Sequence, residues 1–415
     1  MLLRARVVLP ISQPPIENGA VAVLDNRIAA VGTWPELRRN FNGPTTDFGD
    51  AALLPGFVNA HCHLDYTDMA GKLPRPKSFP DWIKGLLAFK AEWSYSDYAQ
   101  SWIHGAKMLL RTGTTSVADI EAVPELLPDA WTATPLRVFS FWEMTGVKRK
   151  RPASEILHEA VNTLESLPPC AGSPGLSPHA PYSTSPELLT LAAQVGAQRN
   201  WRITTHVAES MAEFDMFWRR SGPLYDWLKS QRNMSDCGDC SPVQHLERYG
   251  LLGSNLLAVH VNYLAPGDAA LLGERRVNVV HCPRSHMYFQ HDPFPARELA
   301  QAGVNLSLGT DSLASVHHVR KQTIDLDMLA EMRTFAANGN GWPPEIILRM
   351  ATINGARALG MAGKIGELCP GAFADLIAVP ISRSEENLYE AVIQHRGDVA
   401  AAMIDGRWVW QTGLA

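Results

Sequence analysis

Between residues 56 and 362, short apolar runs alternate with longer stretches whose apolar positions recur at helical spacing. The runs are Leu53–His63, Thr114–Ile120, Leu136–Phe141, Gly175–His179, Arg202–His206, Leu256–His260, Val277–His281 and Val304–Asp311. Apolar runs flanked on both sides by amphipathic helices suit parallel strands covered by helices. Eight in series predict a (β/α)8 barrel of the TIM type. The two ends of the chain read differently. Gly19–Leu24 and Arg27–Gly32 flank an Asp25-Asn26 turn, and Val399–Ile404 and Arg407–Trp410 flank Asp405-Gly406, a dipeptide favoured in hairpins. Neither end is long enough to bury a core alone. The expected fold is therefore α/β, with 56–362 forming the barrel and 1–55 pairing with 363–415 as a small composite β-sandwich.

Each predicted barrel strand is apolar until its C-terminal end, where a polar residue appears: His61 and His63, then His179, His206, His260, His281 and Asp311. Catalytic groups of such barrels sit at those ends, and polar side chains at a core rim are otherwise costly. In His61-Cys62-His63 the two imidazoles are two residues apart, so they share one side of a strand while Cys62 packs on the other. Glu209 follows His206 by three residues; it reads either as a working carboxylate at the barrel mouth or as a first-turn acid favoured by a helix dipole. Asp311 reads either as a ligand or as a helix N-cap. Three His and one Asp with a position left for water describe a catalytic metal site rather than a structural one.

Charge and composition narrow the partners. The 415 residues carry a net charge of −5, and the densest basic cluster, Lys148-Arg149-Lys150-Arg151, is only four residues long. That is a solvated loop rather than a nucleic-acid patch. No stretch of about 18 apolar residues occurs, and the charged N-terminus does not make a signal peptide, so a cytoplasmic protein without membrane partners is expected. The six cysteines are few and irregularly spaced, as for reduced thiols. Cys237-Gly238-Asp239-Cys240 lacks the preceding Pro and the H-x-E partner of a cytidine-type zinc deaminase; two free thiols are expected there. The long 215–250 segment, with Trp218, Tyr225 and Trp227, reads as a lid or pocket wall.

The segments Pro55–Asp65 (PGFVNAHCHLD), Ser177–Tyr182, His206–Glu209, His260, His281–His286 (HCPRSH) and Leu308–Ser312 occur in that order. Together they resemble the amidohydrolase superfamily, in its branch of adenosine-type deaminases and triazine chlorohydrolases, over nearly the whole chain. The resemblance implies one divalent metal ion, zinc ahead of iron, held by His61, His63, His206 and Asp311. Members with two ions carry a bridging lysine at the fourth strand; here His179 stands there. The nearest branch is that of methylthioadenosine/S-adenosylhomocysteine deaminases and aminodeoxyfutalosine deaminases, whose substrate-closing segment Phe79–Ile83 resembles, with Glu92 beyond it. Two positions depart from that pattern: an Arg is absent around Phe141-Trp142-Glu143, and His286 replaces an Asn. The implied reaction is hydrolytic deamination of an adenine-bearing nucleoside, 6-aminodeoxyfutalosine before methylthioadenosine, S-adenosylhomocysteine or adenosine. The alternative is a chlorohydrolase or other amidohydrolase acting on a non-purine heterocycle. In this scheme Asp311 and His260 orient and deprotonate water, Glu209 donates a proton to the ring, and His179, Trp82, Glu92, His281 and His286 contact substrate. The partner is a small molecule, with a homodimer as the candidate assembly.

Overall fold

The structure is a computed structural model that describes residues 1–147, 151–168, 171–318, 323–338, 341–384 and 386–412. Lys148–Lys150 of the basic cluster and Cys170 thus lie outside the described residues. Eight parallel strands follow one another around a single sheet: Phe57–Cys62, Thr114–Glu121, Arg137–Met144, Pro174–Pro178, Arg202–Val207, Leu256–His260, Asn278–His281 and Asn305–Leu308. Every apolar run of the sequence contributes one of them. Residues of strands as far apart as the third (Phe139, Phe141) and the sixth (Leu257, Val259) share one apolar cluster with Val58, Ala118, Ile120 and Val280. Such strands meet only across the inside of a closed sheet, so this cluster fills the barrel. A larger apolar cluster lies between the strands and the helices outside.

The barrel closes between its eighth and first strands through one bridge, Cys62 with Asp311. The Asp311 N–H donates to the His61 carbonyl at 3.1 Å. Beneath it, Asn59 and Thr310 exchange two hydrogen bonds, at 2.7 and 3.1 Å. Gly309 is required at this seam, because a Cβ there would stand 2.8 Å from the His61 carbonyl oxygen. The closure therefore seats two predicted site residues side by side.

Strands from both chain ends build one mixed sheet, in which Ala51–Pro55 pairs with Leu2–Val8 on one side and with Leu376–Pro380 on the other. The period of two divides its side chains. Leu3, Val21, Leu53, Leu376, Ala378 and Met403 fill a core belonging to this sheet, whereas Ala52, Leu54, Ile377 and Val379 join the core facing the barrel. An Arg27–Phe373 bridge links the far strand Arg27–Thr33 back toward the C-terminal limb. The run Leu53–His63 is thus two strands in two sheets, divided at Gly56, where a Cβ would overlap the Thr115 side chain. The 215–250 segment is not a plain loop: it begins inside the helix Met211–Arg219 and contains helices Pro223–Leu228 and Pro242–Arg248. Ser210 and Ser241 cap the first and third of these. No helix among the described residues is long and apolar enough to cross a membrane.

Arg137, at the start of the third barrel strand and 2% exposed, joins the two parts. Its guanidinium donates to Asp375 at 3.0 and 3.3 Å, to Asp405 at 3.0 Å and to the Ala171 carbonyl at 2.9 Å. Removing one partner of a buried pair leaves an uncompensated charge, at a cost of about 3–5 kcal/mol. Arg137→Met should therefore lower the unfolding free energy by about that amount, and adding Asp375→Leu should restore most of it. Chemical denaturation of the two variants checks this.

Candidate active site

The chain turns sharply as it leaves the strands that carry the polar residues. Ala208, His260, Val261 and Asp311 all have positive φ, at 50°, 75°, 50° and 53°. Side chains other than glycine adopt this region at a cost of roughly 1–2 kcal/mol per residue, and such strain gathers at functional sites. The reversals bring His61 of the first strand and His63 just after it, His206 of the fifth, His260 of the sixth and Asp311 after the eighth together, all buried. His63 Nε2 lies 3.3 Å from His206 Nε2. Asp311 Oδ1 lies 3.6 Å from His61 Nε2 and 3.7 Å from His63 Nε2. Cys62, between the two histidines, packs on the other side against Trp102 and Leu109. The backbone leaving His63 is tied to buried Asp119, which accepts from the Leu64 N–H at 2.8 Å and the Trp102 indole at 2.7 Å.

Both ring nitrogens of His61 and Nδ1 of His63 are buried without a hydrogen-bond partner, which is costly unless something else satisfies them. His61, His63 and His206 present nitrogens within 4.8 Å of one another. His206 Nδ1 sits 2.8 Å from the His179 carbonyl. A carbonyl only accepts, so this contact places the proton on Nδ1 and leaves the Nε2 lone pair facing the cluster, the usual outer support of a metal-binding histidine. Burial, with His179 and His61 nearby, pushes His206 down to about 3. Burial and the neighbouring His61 likewise hold His63 well below the usual range. Both rings are thus neutral, the form that ligates. Burial works against the Asp311 carboxylate, but the His61, His260 and His63 rings around it outweigh that and hold it well below the usual carboxylate range, so it stays ionised. Three imidazoles and a carboxylate fit one divalent ion.

Glu209 stands beside this cluster, 5% exposed, with Oε1 3.6 Å from His260 Nε2. It precedes the N-cap Ser210, and Glu213 occupies the first helical turn instead. Its dipole-favoured reading therefore belongs to Glu213, whose carboxylate accepts the Glu209 N–H at 2.9 Å. Burial foremost, with Asp311 and Glu213 nearby, raises the Glu209 carboxyl well above its ordinary range. His179 lies 2.6 Å from the Ser183 hydroxyl and 3.8 Å from Glu143.

His63, His179, His206, Glu209, His260 and Asp311 open into one cavity, whose outer wall carries Trp82, Ile83, Leu86, Leu87 and Trp227. Glu92 is exposed and outside that wall. Lys90, Tyr66 and Glu143 line the cavity instead, with Lys90 donating to the Tyr66 hydroxyl. The helix Phe79–Lys90 presents Ile83, Leu86, Leu87 and Lys90 at helical spacing, the signal by which Lys90 could have been found. His281 and His286 do not reach this cavity. The His281 ring stacks on Phe294 at 3.8 Å, and both histidines border a second cavity with His291. Of the 215–250 aromatics, Trp227 lines the first cavity, Tyr225 packs in the cluster beneath it, and Trp218 stacks on Phe214 near the surface. Cys237 and Cys240 are free, and burial pushes their thiols up to about 12 and 11.

A model of the amidohydrolase family matches residues 52–409. The chain is 33% identical over 421 residues to a 5-methylthioadenosine/S-adenosylhomocysteine deaminase of Syntrophobacter fumaroxidans, covering 95% of this chain and 89% of that protein. It is 28% identical over 418 residues to a 5'-deoxyadenosine deaminase of Methanothermobacter thermautotrophicus, covering 96% and 90%. Among solved structures, an adenosine deaminase of Xanthomonas campestris with bound zinc superposes with a TM-score of 0.84 at 27% identity, over 99% of this chain and 92% of that one. Helicobacter pylori aminofutalosine deaminase in complex with methylthio-coformycin shares the fold, with a TM-score of 0.84 at 21% identity over 99% and 100%.

The donor set is expected to hold one divalent ion per chain. His206→Ala or Asp311→Ala should lose it together with activity, as elemental analysis of the purified variants would read. Two ions per chain, or none with activity intact, would contradict the assignment.

Proposed function

Because the chain belongs to the amidohydrolase family, we propose that it removes the 6-amino group of an adenine-bearing nucleoside by metal-dependent hydrolysis, releasing ammonia. The observation that carries this reading is Glu209, a buried carboxyl beside His260 and the four-donor cluster. His61, His63, His206 and Asp311 would hold the ion, which we assign as zinc ahead of iron because the similar Xanthomonas campestris enzyme holds zinc. When bound there, the ion lowers the pKa of a water from 15.7 toward about 7 and so makes a nucleophile available at neutral pH.

Asp311 and His260 orient that water and receive its proton. Burial keeps the His260 imidazole well below its usual range, so the ring is neutral and has a lone pair to accept with. As oxygen adds to the carbon bearing the amino group, Glu209, kept protonated by burial, gives its proton to the adjacent ring nitrogen. Charge that would build up on the ring is thereby neutralised. The water's proton then passes from Asp311 or His260 to the amino group, the C–N bond breaks and ammonia leaves, while the proton still on the added oxygen returns to Glu209, giving the 6-oxo ring and restoring the acid.

Beyond the ring, the cavity wall is largely apolar, and Lys90 is the one lysine or arginine among its described lining residues. This supports 6-aminodeoxyfutalosine as first choice: its benzoate ring would lie along Trp82, Leu86 and Trp227 with the carboxylate at Lys90. Methylthioadenosine and S-adenosylhomocysteine follow, favoured by the relatives' names, and then adenosine. A chlorohydrolase reaction on a non-purine ring remains the alternative. The five described cysteines are all free thiols, which supports a cytoplasmic setting.

Glu209→Gln should keep the metal and the fold while lowering turnover about 10²-fold or more, as measured by ammonia release. An assay against adenine nucleosides, guanine, cytosine and chlorotriazines decides the substrate class. Reaction with a halogenated or non-purine ring alone would overturn deamination of an adenine nucleoside. A charge-assisted hydrogen bond contributes about 1.5–3 kcal/mol. Lys90→Met should therefore raise KM for 6-aminodeoxyfutalosine by about 10- to 100-fold, leaving methylthioadenosine within about twofold because it has no anion to lose.

A further inference from the structure

His286 lies off the substrate cavity, yet it is connected to Glu209. The backbone of Glu209 is held at both ends: its N–H donates to Glu213 at 2.9 Å, and its carbonyl accepts from Asn262 Nδ2 at 2.9 Å. Asn262 is fixed by its own N–H, which donates to the Ala208 carbonyl at 3.0 Å. Since the Asn262 amino group points at Glu209, its carbonyl oxygen faces the other way, where His286 Nδ1 stands at 3.1 Å. An oxygen only accepts, so His286 Nδ1 must carry the proton. Burial pushes this ring down to about 4, so it is neutral and has a single N–H to give. Asn262 and His286 are 4% and 9% exposed. The residues this chain clamps include Ala208, already in the left-handed region, where the backbone has other conformations to relax into.

The outer side of His286 borders the second cavity, of about 440 Å³, with His281, His291, Phe294, Phe335 and Trp342 around it. A cavity of roughly 150 Å³ is enough to admit benzene.

We propose that His286 is a positioning residue: from the wall of the second cavity it fixes Asn262, and through Asn262 it holds Glu209 where the carboxyl meets the substrate ring. This rests on Glu209 acting as the proton donor. His286→Ala should lower kcat about 10-fold or more, with KM within about twofold and metal content unchanged. His286→Gln, which keeps a donor, should retain most of the activity, and His286→Met, of similar bulk without a donor, should not. Should the alanine variant fail to fold, the Gln and Met pair decides alone. In His286→Ala, added imidazole should restore turnover relative to wild type in the same buffer, because it carries an N–H and fits the space vacated. 1-Methylimidazole, assayed at a pH well above its pKa so that it is neutral and has no N–H, should not.

The double variant separates positioning from a merely structural role. If His286 acts through Glu209, His286→Ala should cost almost nothing further in Glu209→Gln. Unchanged kcat in His286→Ala and His286→Met, equal rescue by both imidazoles, or fully additive losses in the double variant would each overturn the proposal. Normal turnover by Glu209→Gln alone would instead sink the proton-donor reading, so the two failures are distinguishable.

Discussion

The site depends on how the barrel is closed. One bridge between Cys62 and Asp311 joins the first and last strands, with the Asp311 N–H on the His61 carbonyl and the Asn59–Thr310 pair locked beneath it. Residues from opposite ends of a stretch of about 250 positions are thereby set within a few ångströms, and the imidazoles of the fifth and sixth strands are brought in by the sheet between them. The same seam requires Gly309, because the two backbones approach too closely for a side chain. The donors at the seam are costly alone: several buried imidazole nitrogens have no partner in the protein. Closure of the fold thus creates a place where a cation offsets the cost of desolvation.

Much of this was legible in the chain. Parallel strands buried on both faces leave continuous apolar runs, so each of the eight runs marks a strand, and a polar side chain at the rim interrupts the run at its end, so His61, His63, His179, His206, His260, His281 and Asp311 stand out alike. Their convergence followed from the barrel topology, which places strand ends on one rim whatever their separation in sequence. Glu209 was recognisable, but its two readings could be separated only by the capping geometry, which assigns the helix's first turn to Glu213.

What stayed hidden depended on side-chain direction. His281 ends a strand as His260 does, yet its ring lies flat on Phe294 outside the substrate cavity; strand position alone does not say which way a residue at the rim turns. Glu92 and Lys90 are two residues apart, about 200° around a helix, so only one of them can share the face of Ile83, Leu86 and Leu87, and that one is Lys90. The run Leu53–His63 concealed a change of sheet, because an apolar segment stays apolar on passing from one core into another.

The Arg137 junction has a consequence for how such a protein can change. Arg137 and its two aspartates lie where the third strand begins, whereas the strained reversals at Ala208, His260, Val261 and Asp311 lie where strands end. The ion pairs that weld the terminal sheet to the barrel and the loops that shape the substrate cavity are therefore at opposite poles of the same strands. Substitutions along Trp82, Leu86, Lys90 or Trp227 can alter what the cavity admits without loosening that weld. A chain built this way can diverge in specificity while its stability is inherited almost intact.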